Sequence, residues 1–157
     1  MVENIVEVLR MAGKKIATAE SCTGGLLASM IVDIPGSSEV FDMGVVSYSN
    51  EVKHRLLGVP EEILEQYGAV SSQTAEAMAK GVCLSAGASF GLSTTGIAGP
   101  GGGTKEKPVG LVYFSVYAAE DKTFITKELR LSGSRREVRE ETCERVFEAL
   151  KKIVASN

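Results

Sequence analysis

The spacing of apolar residues predicts helices and strands that alternate along most of the chain. Apolar residues recur at helical spacing from Ile5 to Met11 and stop at Gly13, which predicts an amphipathic first helix. KIATAE then predicts a short strand, and the apolar run from Leu26 to Ile34 predicts a helix buried between layers. Further strands are predicted at FDMGVVSYSN and SFGLSTTG. Helices are predicted at EVKHRLLG with Asn50 as its cap, after Pro60, and through TAEAMAKGVCLSAG with Ser71 or Ser72 as its cap.

The last third of the chain has a different pattern. The segments VGLVYFSVYA and KTFITKELRL predict a hairpin that turns at Glu120 and Asp121, and a final helix is predicted from Ser134 to about Val154. Early alternation followed by a hairpin predicts an α/β fold. We expect a three-layer α/β/α sandwich with a mixed, mainly parallel central sheet and a late antiparallel hairpin.

Three polar segments, ESCTGG, SYSNEVK and TTGIAGPGGGT, each follow a predicted strand. In open α/β sheets, ligands bind beyond the carboxyl ends of the strands. The sequence therefore predicts that these segments share one edge of the sheet and form the site there.

Composition narrows the classes of protein to which the chain can belong. Its 157 residues, 44% of them apolar, predict one domain over residues 1–157. The 17 Lys and Arg residues against 20 Asp and Glu residues give a net charge of −3, and their dispersal argues against a nucleic-acid partner. The apolar stretches are too short and interrupted for a membrane span, and the first residues do not resemble a signal peptide, so we expect a cytoplasmic protein.

The residues that usually bind metals or act as bases are few. Cys22, Cys83 and Cys143 are far apart and unpaired in motif, so we expect buried thiols, no disulfide, no metal site and no cofactor. His54 is the only histidine, and a histidine-based triad would depend on it alone. A catalyst built from this chain needs another base.

Lys53 is a candidate for that base. It falls in the first turn of a helix predicted to begin near Asn50, where most lysines simply point into water. To act near pH 7, its pKa would have to fall from about 10.4 by roughly three units, worth about 4 kcal/mol. A helix terminus supplies at most ~1 to 2 kcal/mol. A catalytic Lys53 must therefore be buried.

The glycine-rich turns permit anion binding but match no nucleotide-binding motif. The loop after Gly96 lacks the P-loop lysine, and Thr104 occupies the third glycine position of a dinucleotide-binding pattern. Such a loop either binds a phosphate through its N–H groups or is simply a flexible crossover before Pro108. Thr23 is predicted to cap the following helix, which leaves the N–H groups around Gly24 open to an anion or packed against a strand. Glu20 either caps or orients a neighbour, or is solvated.

Seven segments together resemble one known family. TAESCTGG, DIPGSS, GVVSYSNEVK, LGV, YGAVSSQTAEAMAKG, TGIAGPGGGTKEKPVG and SGSRREVR are similar, in order and spacing, to the CinA C-terminal domain family, from about residue 4 to 152. Standalone members act as nicotinamide mononucleotide (NMN) deamidases. The resemblance implies hydrolysis of NMN to nicotinic acid mononucleotide and ammonia without a metal. The amino-terminal module of full-length CinA has no room here, so its pyrophosphatase-associated activity is not expected.

The resemblance also implies a Ser/Lys pair, in which Lys53 matches the family's lysine. Ser38 in PGSS is the preferred nucleophile and Ser21 in ESC the alternative, while Ser47 and Ser49 remain open. Lys53 would take the serine proton, and N–H groups of the TTGIAG turn would stabilise the oxyanion.

The remaining predicted roles concern binding. Tyr48 either hydrogen-bonds Lys53 or the substrate, or is a half-buried strand aromatic. Arg135 and Arg139, one helical turn apart, either contact the phosphate or pair with nearby glutamates such as Glu137 and Glu140. The full set of predicted substrate-binding residues is Glu20, Thr23, Gly24, Thr95, Gly96, Gly99, Arg135 and Arg139.

Two alternatives concern assembly and function. The ends of a dozen-residue helix after Thr23 lie roughly 20 Å apart, so Ser21 and Ser38 would fall in different sites, each completed by a neighbouring subunit, or PGSS is structural. A homo-oligomer is expected because the hairpin offers an edge strand. The alternative to an enzyme is a noncatalytic nucleotide-sensing or partner-binding domain.

Overall fold

A computed structural model describes residues 1–156 as one five-stranded sheet covered by helices on both faces. The strands are β1 (Ile16–Glu20), β2 (Phe41–Val46), β3 (Phe90–Gly96), β4 (Leu111–Ala118) and β5 (Thr123–Arg130). The helices are α1 (Val2–Ala12), α2 (Leu26–Val32), α3 (Asn50–Leu57), α4 (Glu61–Tyr67), α5 (Ser72–Ala86) and α6 (Arg135–Ala155), with a 3₁₀ turn at Ser37–Glu39.

The strands run in the order β2-β1-β3-β4-β5. β1 pairs in parallel with both β2 and β3, whereas β4 is antiparallel to β3 and to β5. β4 is thus the one strand that runs against the other four. The predicted three-layer sandwich with a mixed, mainly parallel sheet and a late hairpin is confirmed.

Two apolar cores lie on opposite faces of the sheet. One is formed with residues of α1, α2 and α6, such as Leu9, Leu27 and Leu150. The other is formed mainly with α5 and the end of α3, through residues such as Met78 and Leu57. Because β1 is covered on both faces, all five of its residues are buried, although only every second one points to a given core.

Two local predictions were wrong. α2 has seven residues and an exposed face that includes Val32, so it is an outer helix rather than one buried between layers. α3 is capped by Ser49, whose Oγ accepts from the Val52 N–H at 3.2 Å, and Asn50 is its first residue. Of the two serines predicted as caps of α5, Ser71 is the one that caps it, and Ser134 caps α6.

The topology brings several chain segments to one edge of the sheet. β1, β2 and β3 end there, and α3 and α6 begin there.

None of the helices in residues 1–156 combines the length and apolar character that a bilayer crossing requires.

Close packing of α5 holds α3 against the sheet, and Gly81→Ala is expected to disturb it. A Cβ at Gly81 would overlap the Leu57 carbonyl at the end of α3, and backbone cannot move aside cheaply. We expect a loss of roughly 1–3 kcal/mol in the free energy of unfolding, measured by urea denaturation. The matched control is Lys80→Ala, at the exposed residue next to Gly81. This variant should change the free energy of unfolding by less than about 0.5 kcal/mol. Equal stability of the two variants would contradict this packing.

Candidate active site

The side chains of Ser21 and Lys53 meet at the carboxyl edge of the sheet. Ser21 directly follows β1, and Lys53 lies in the first turns of α3. Lys53 Nζ is 3.1 Å from Ser21 Oγ and donates to the Ser47 main-chain oxygen at 2.9 Å. Ser47 directly follows β2, the strand paired with β1, so adjacent parallel strands place the amine and the hydroxyl together.

Lys53 is buried, as a catalytic lysine here must be. Lys53 is only 1% exposed, although lysine has a long side chain that ends in an amine and is usually exposed. Burial lowers the pKa of Lys53 from its usual value of 10.5, because the charged ammonium loses its hydration; the nearby Cys22 thiol opposes this shift. No ion pair to Lys53 is formed within residues 1–156. Burial therefore shifts the balance at Lys53 from the ammonium toward the neutral amine.

The turn after Ser21 is held by a buried hydrogen-bond network. The Ser21 N–H donates to the Thr94 carbonyl at 3.0 Å, and the Thr23 hydroxyl donates to Glu20 Oε1 at 2.6 Å. The Thr23 and Thr94 hydroxyls are 2.7 Å apart. Glu20 also accepts from backbone N–H groups of α2. The predicted Thr23 cap is thus wrong, because the cap residue is Gly25 and the capping carboxylate is that of Glu20.

The start of α6 forms a basic rim beside this turn. Arg135 donates to the Gly99 carbonyl at 2.8 Å and to the Tyr48 hydroxyl at 2.9 Å. Arg139 donates to the Thr23 carbonyl at 2.8 Å. Across residues 1–156, neither guanidinium has a carboxylate partner. Two uncompensated positive charges therefore lie beside the Ser21 turn.

The amino-acid sequence matches a known protein family. The model of the CinA C-terminal domain matches residues 1–154. The chain belongs to the CinA C-terminal domain family. A CinA-like protein of Kosmotoga olearia is 55% identical over 137 residues, which are 87% of this chain and 33% of that protein. The chain spans about a third of the length of the curated relatives it matches.

Solved structures of CinA proteins share the fold. The competence/damage inducible protein CihA from Agrobacterium tumefaciens has a TM-score of 0.89 and 41% identity, with 98% of this chain and 94% of that chain covered. A CinA superfamily protein from Klebsiella pneumoniae has a TM-score of 0.92 and 30% identity, with 100% and 99% covered.

The structure brings Ser21, not Ser38, to the lysine of this CinA domain. Ser38 is exposed in the 3₁₀ turn that precedes β2, at the opposite edge of the sheet. A six-residue strand such as β2 spans about 17–20 Å, which separates Ser38 from Lys53 within one chain. Ser47 offers its carbonyl to Lys53, and Ser49 uses its hydroxyl to cap α3. The sequence-based preference for Ser38 is corrected on geometric grounds.

Other predicted site residues have different neighbours from those expected. The Tyr48 ring is 61% exposed, lies beyond the end of β2, and bonds Arg135 rather than Lys53. Arg136 is the arginine that pairs with Glu140, while Glu137 completes the capping box of α6. The alternative in which Arg135 and Arg139 pair with these glutamates is therefore not found within residues 1–156.

The groups at the end of β3 and in the glycine loop that were predicted to contact substrate mostly contact the protein itself. The buried Thr95 hydroxyl donates to the Ala69 carbonyl at 2.7 Å. A Cβ at Gly96 would press on the Leu111 carbonyl. One N–H group of the TTGIAG turn that was expected to face the oxyanion, that of Ile97, instead donates to the same carbonyl. Gly99 is buried at φ 81°, with its carbonyl turned toward Arg135. Gly24, exposed at φ 56°, lies beside Arg139.

The remaining nucleophilic and basic groups are unsuited to this chemistry. Burial raises the pKa of the Cys22 thiol to about 12, which keeps it protonated. His54 Nδ1 contacts the Val59 carbonyl at 2.7 Å, away from Ser21. Residues 1–156 contain no cluster of three or more His, Cys, Asp or Glu side chains that could hold a metal ion.

Sequence reasoning missed two participants in the site. Thr94 binds the Ser21 N–H through its carbonyl and the Thr23 turn through its hydroxyl, and the Ser47 carbonyl anchors Lys53. The signal for Thr94 was a polar side chain in an otherwise buried strand, since such groups need a partner. A main-chain carbonyl such as that of Ser47 leaves no signal in the sequence.

Proposed function

We propose that this CinA domain is a nicotinamide-nucleotide amidohydrolase that converts NMN to nicotinic acid mononucleotide and ammonia with a Ser21–Lys53 pair. The observation that carries the proposal is the buried Lys53 Nζ lying 3.1 Å from Ser21 Oγ. A nucleophilic hydroxyl within hydrogen-bond reach of a base with a lowered pKa is what acyl transfer requires.

In the first half-reaction, neutral Lys53 takes the Ser21 proton as Oγ attacks the carboxamide carbon. The tetrahedral intermediate collapses, the C–N bond breaks, and the Lys53 ammonium gives its proton to the departing nitrogen, which leaves as ammonia. By chain position, the nearest donor for the oxyanion is the N–H of Cys22, the residue after the nucleophile.

In the second half-reaction, water attacks the ester formed on Ser21 while Lys53 takes a proton from that water. Collapse of the second intermediate breaks the bond to Ser21 Oγ, and the Lys53 ammonium returns the proton to the serine. The Ser47 carbonyl holds the amine in place through both steps because it accepts from Nζ without titrating. The net reaction consumes one water for each carboxamide hydrolysed.

The basic rim suits the phosphate of this substrate. Arg135 and Arg139 carry charges with no carboxylate partner in the described chain, and Arg135 already bridges the Tyr48 ring and the Gly99 loop. Guanidinium groups bind phosphate through paired, charge-assisted hydrogen bonds. We assign these two arginines to the phosphate and Tyr48 to the adjacent edge of the nucleotide.

The proposal is tested by ammonia release from the purified chain with NMN, measured with and without a chelator. We expect release in both conditions, together with a stoichiometric amount of nicotinic acid mononucleotide identified by mass spectrometry. Saturable binding of NMN without ammonia would instead identify a noncatalytic nucleotide-sensing domain. Loss of release on chelation would contradict the metal-free mechanism.

A further inference from the structure

Glu20 is the most completely buried acidic side chain beside the site, and the amidase mechanism above leaves it without a role. It is 1% exposed and lies at the end of β1, directly before Ser21. Within residues 1–156 it has no cationic partner. A buried carboxylate without a counter-ion is costly unless hydrogen bonds compensate for its lost hydration.

Three donors provide that compensation. Glu20 Oε1 accepts from the Thr23 hydroxyl at 2.6 Å and from the Leu27 N–H at 2.7 Å, and Oε2 accepts from the Ala28 N–H at 3.1 Å. Leu27 and Ala28 lie in the first turn of α2, where N–H groups lack helical partners and the helix dipole favours a negative charge. With both oxygens occupied inside the protein, Glu20 is not free to bind substrate, contrary to its prediction as a binding residue.

The turn that Glu20 holds has little rigidity of its own. Gly24 and Gly25 adopt φ values of 56° and 99°, and the Gly25 cap of α2 has no side chain to offer. Glycine loses more conformational freedom on ordering than any other residue. The Glu20 carboxylate joins residues on both sides of this pair, Thr23 before it and Leu27 after it, so it closes the turn as a clamp.

Glu20 is also connected to both members of the catalytic pair. Its main-chain oxygen accepts from the Ser47 N–H at 2.8 Å, and the Ser47 carbonyl in turn accepts from Lys53. Its side chain fixes the turn that begins at Ser21. The distance between the nucleophile and the base therefore depends on how firmly this one residue is held.

We propose that Glu20 is a positioning residue, whose carboxylate clamps the Ser21 turn onto α2 and so keeps Ser21 Oγ in reach of Lys53. This inference rests on the proposed amidase function. The carboxylate contacts neither member of the pair; its effect is on geometry.

The test replaces Glu20 by glutamine, which has the same shape but presents an N–H₂ group to one of the donors. We expect kcat for NMN to fall about 10- to 100-fold, because small displacements of a nucleophile have effects of this size. KM should stay within about twofold, and the pH at which kcat/KM rises should be unchanged, since Lys53 keeps its Ser47 partner. The exposed Glu120→Gln, at the opposite edge of the sheet, is the matched control and should retain wild-type kinetics.

A second pair of variants keeps the test valid if Glu20→Gln folds poorly. Thr23→Val removes one of the three donors and should lower kcat. Thr23→Ser keeps a hydroxyl at this position and should retain most of the wild-type activity. Thermal denaturation of every variant confirms that the folded protein is compared.

A readout independent of NMN separates this inference from the proposed function. A fluorophosphonate probe reports the reactivity of Ser21: the Oγ–P bond forms, fluoride leaves and Lys53 takes the proton. Slower labelling of Ser21 in Glu20→Gln supports the clamp even if the wild type releases no ammonia, an outcome that would refute only the NMN reaction. Unchanged kcat and labelling, a changed KM alone, or a shifted pH profile would each overturn the positioning role.

Discussion

The Ser21→Ala variant is expected to release ammonia from NMN at least about 1,000-fold more slowly than the wild type, because it lacks the atom that forms the acyl-enzyme in the proposed mechanism. The fold should survive, since within residues 1–156 the Ser21 hydroxyl is hydrogen-bonded only to Lys53 Nζ, and the Ser21 N–H keeps its bond to Thr94. Steady-state ammonia release, combined with thermal denaturation, checks both parts. Mass spectrometry of quenched wild-type enzyme should show the ester on the peptide that contains Ser21.

Two further alanine variants make this result specific. Ser38→Ala tests the serine favoured by sequence, and Ser85→Ala is a control at an exposed position of α5. Both should stay within about twofold of the wild type, as expected for exposed side chains distant from the chemistry. An active Ser21→Ala combined with an inactive Ser38→Ala would contradict the assignment and indicate that a neighbouring subunit brings its PGSS turn to Lys53.

The Lys53→Met variant should lose about 100- to 10,000-fold in kcat, the range associated with loss of a positioned general base. Methionine fills a similar volume but cannot accept the Ser21 proton. Lys80→Met, at an exposed position of α5, is the matched control and should retain full activity. Wild-type rates in Lys53→Met would exclude the lysine as the base.

The pH dependence of the wild type follows from the same residue. In the proposed mechanism the neutral amine is the active form, so kcat/KM should rise as pH increases through the pKa of Lys53, which burial places below 10.5. A profile that rises only around the ordinary lysine value would contradict a buried, neutral base.

The same pKa shift affects stability. Because the folded state loses the Lys53 proton at lower pH than the unfolded chain does, the unfolded chain binds more protons between the folded pKa and 10.5. The contribution of Lys53 to the free energy of unfolding should therefore be complete above 10.5 and decrease as pH falls through this window. Denaturation across these pH values should show a slope in the wild type that Lys53→Met lacks.

Periodicity and local chemistry were sufficient to predict most of the architecture. The alternation of helical and strand patterns predicted the layered sheet, and serines before an apolar run predicted a cap of α5 at Ser71 or Ser72, which Ser71 provides. Both signals depend on residues that are close together in the sequence, so they can be identified without knowing the tertiary structure. The cap of α3 was misplaced by one residue because Ser49 and Asn50 are both good capping residues.

The sequence also set a condition that any catalytic lysine had to meet. The cost of shifting a lysine pKa required Lys53 to be buried, and its 1% exposure meets that condition. No local sequence pattern predicted that Lys53 is buried, because EVKHRLLG is equally compatible with a lysine pointing into water.

By itself, then, the sequence determined the order of the elements, the edge of the sheet where the polar segments gather, and Lys53 as the candidate base. Only the tertiary structure decided which serine lies against Lys53, that Glu20 faces inward, and that Tyr48 binds Arg135. Ser21 and Lys53 are 32 positions apart and meet because β2 pairs beside β1, whereas Ser38 is only 15 positions from Lys53 and lies at the far end of β2. Distance along the chain carries little information about distance in space once strands run across a sheet, and strand order is set by the packing of whole elements.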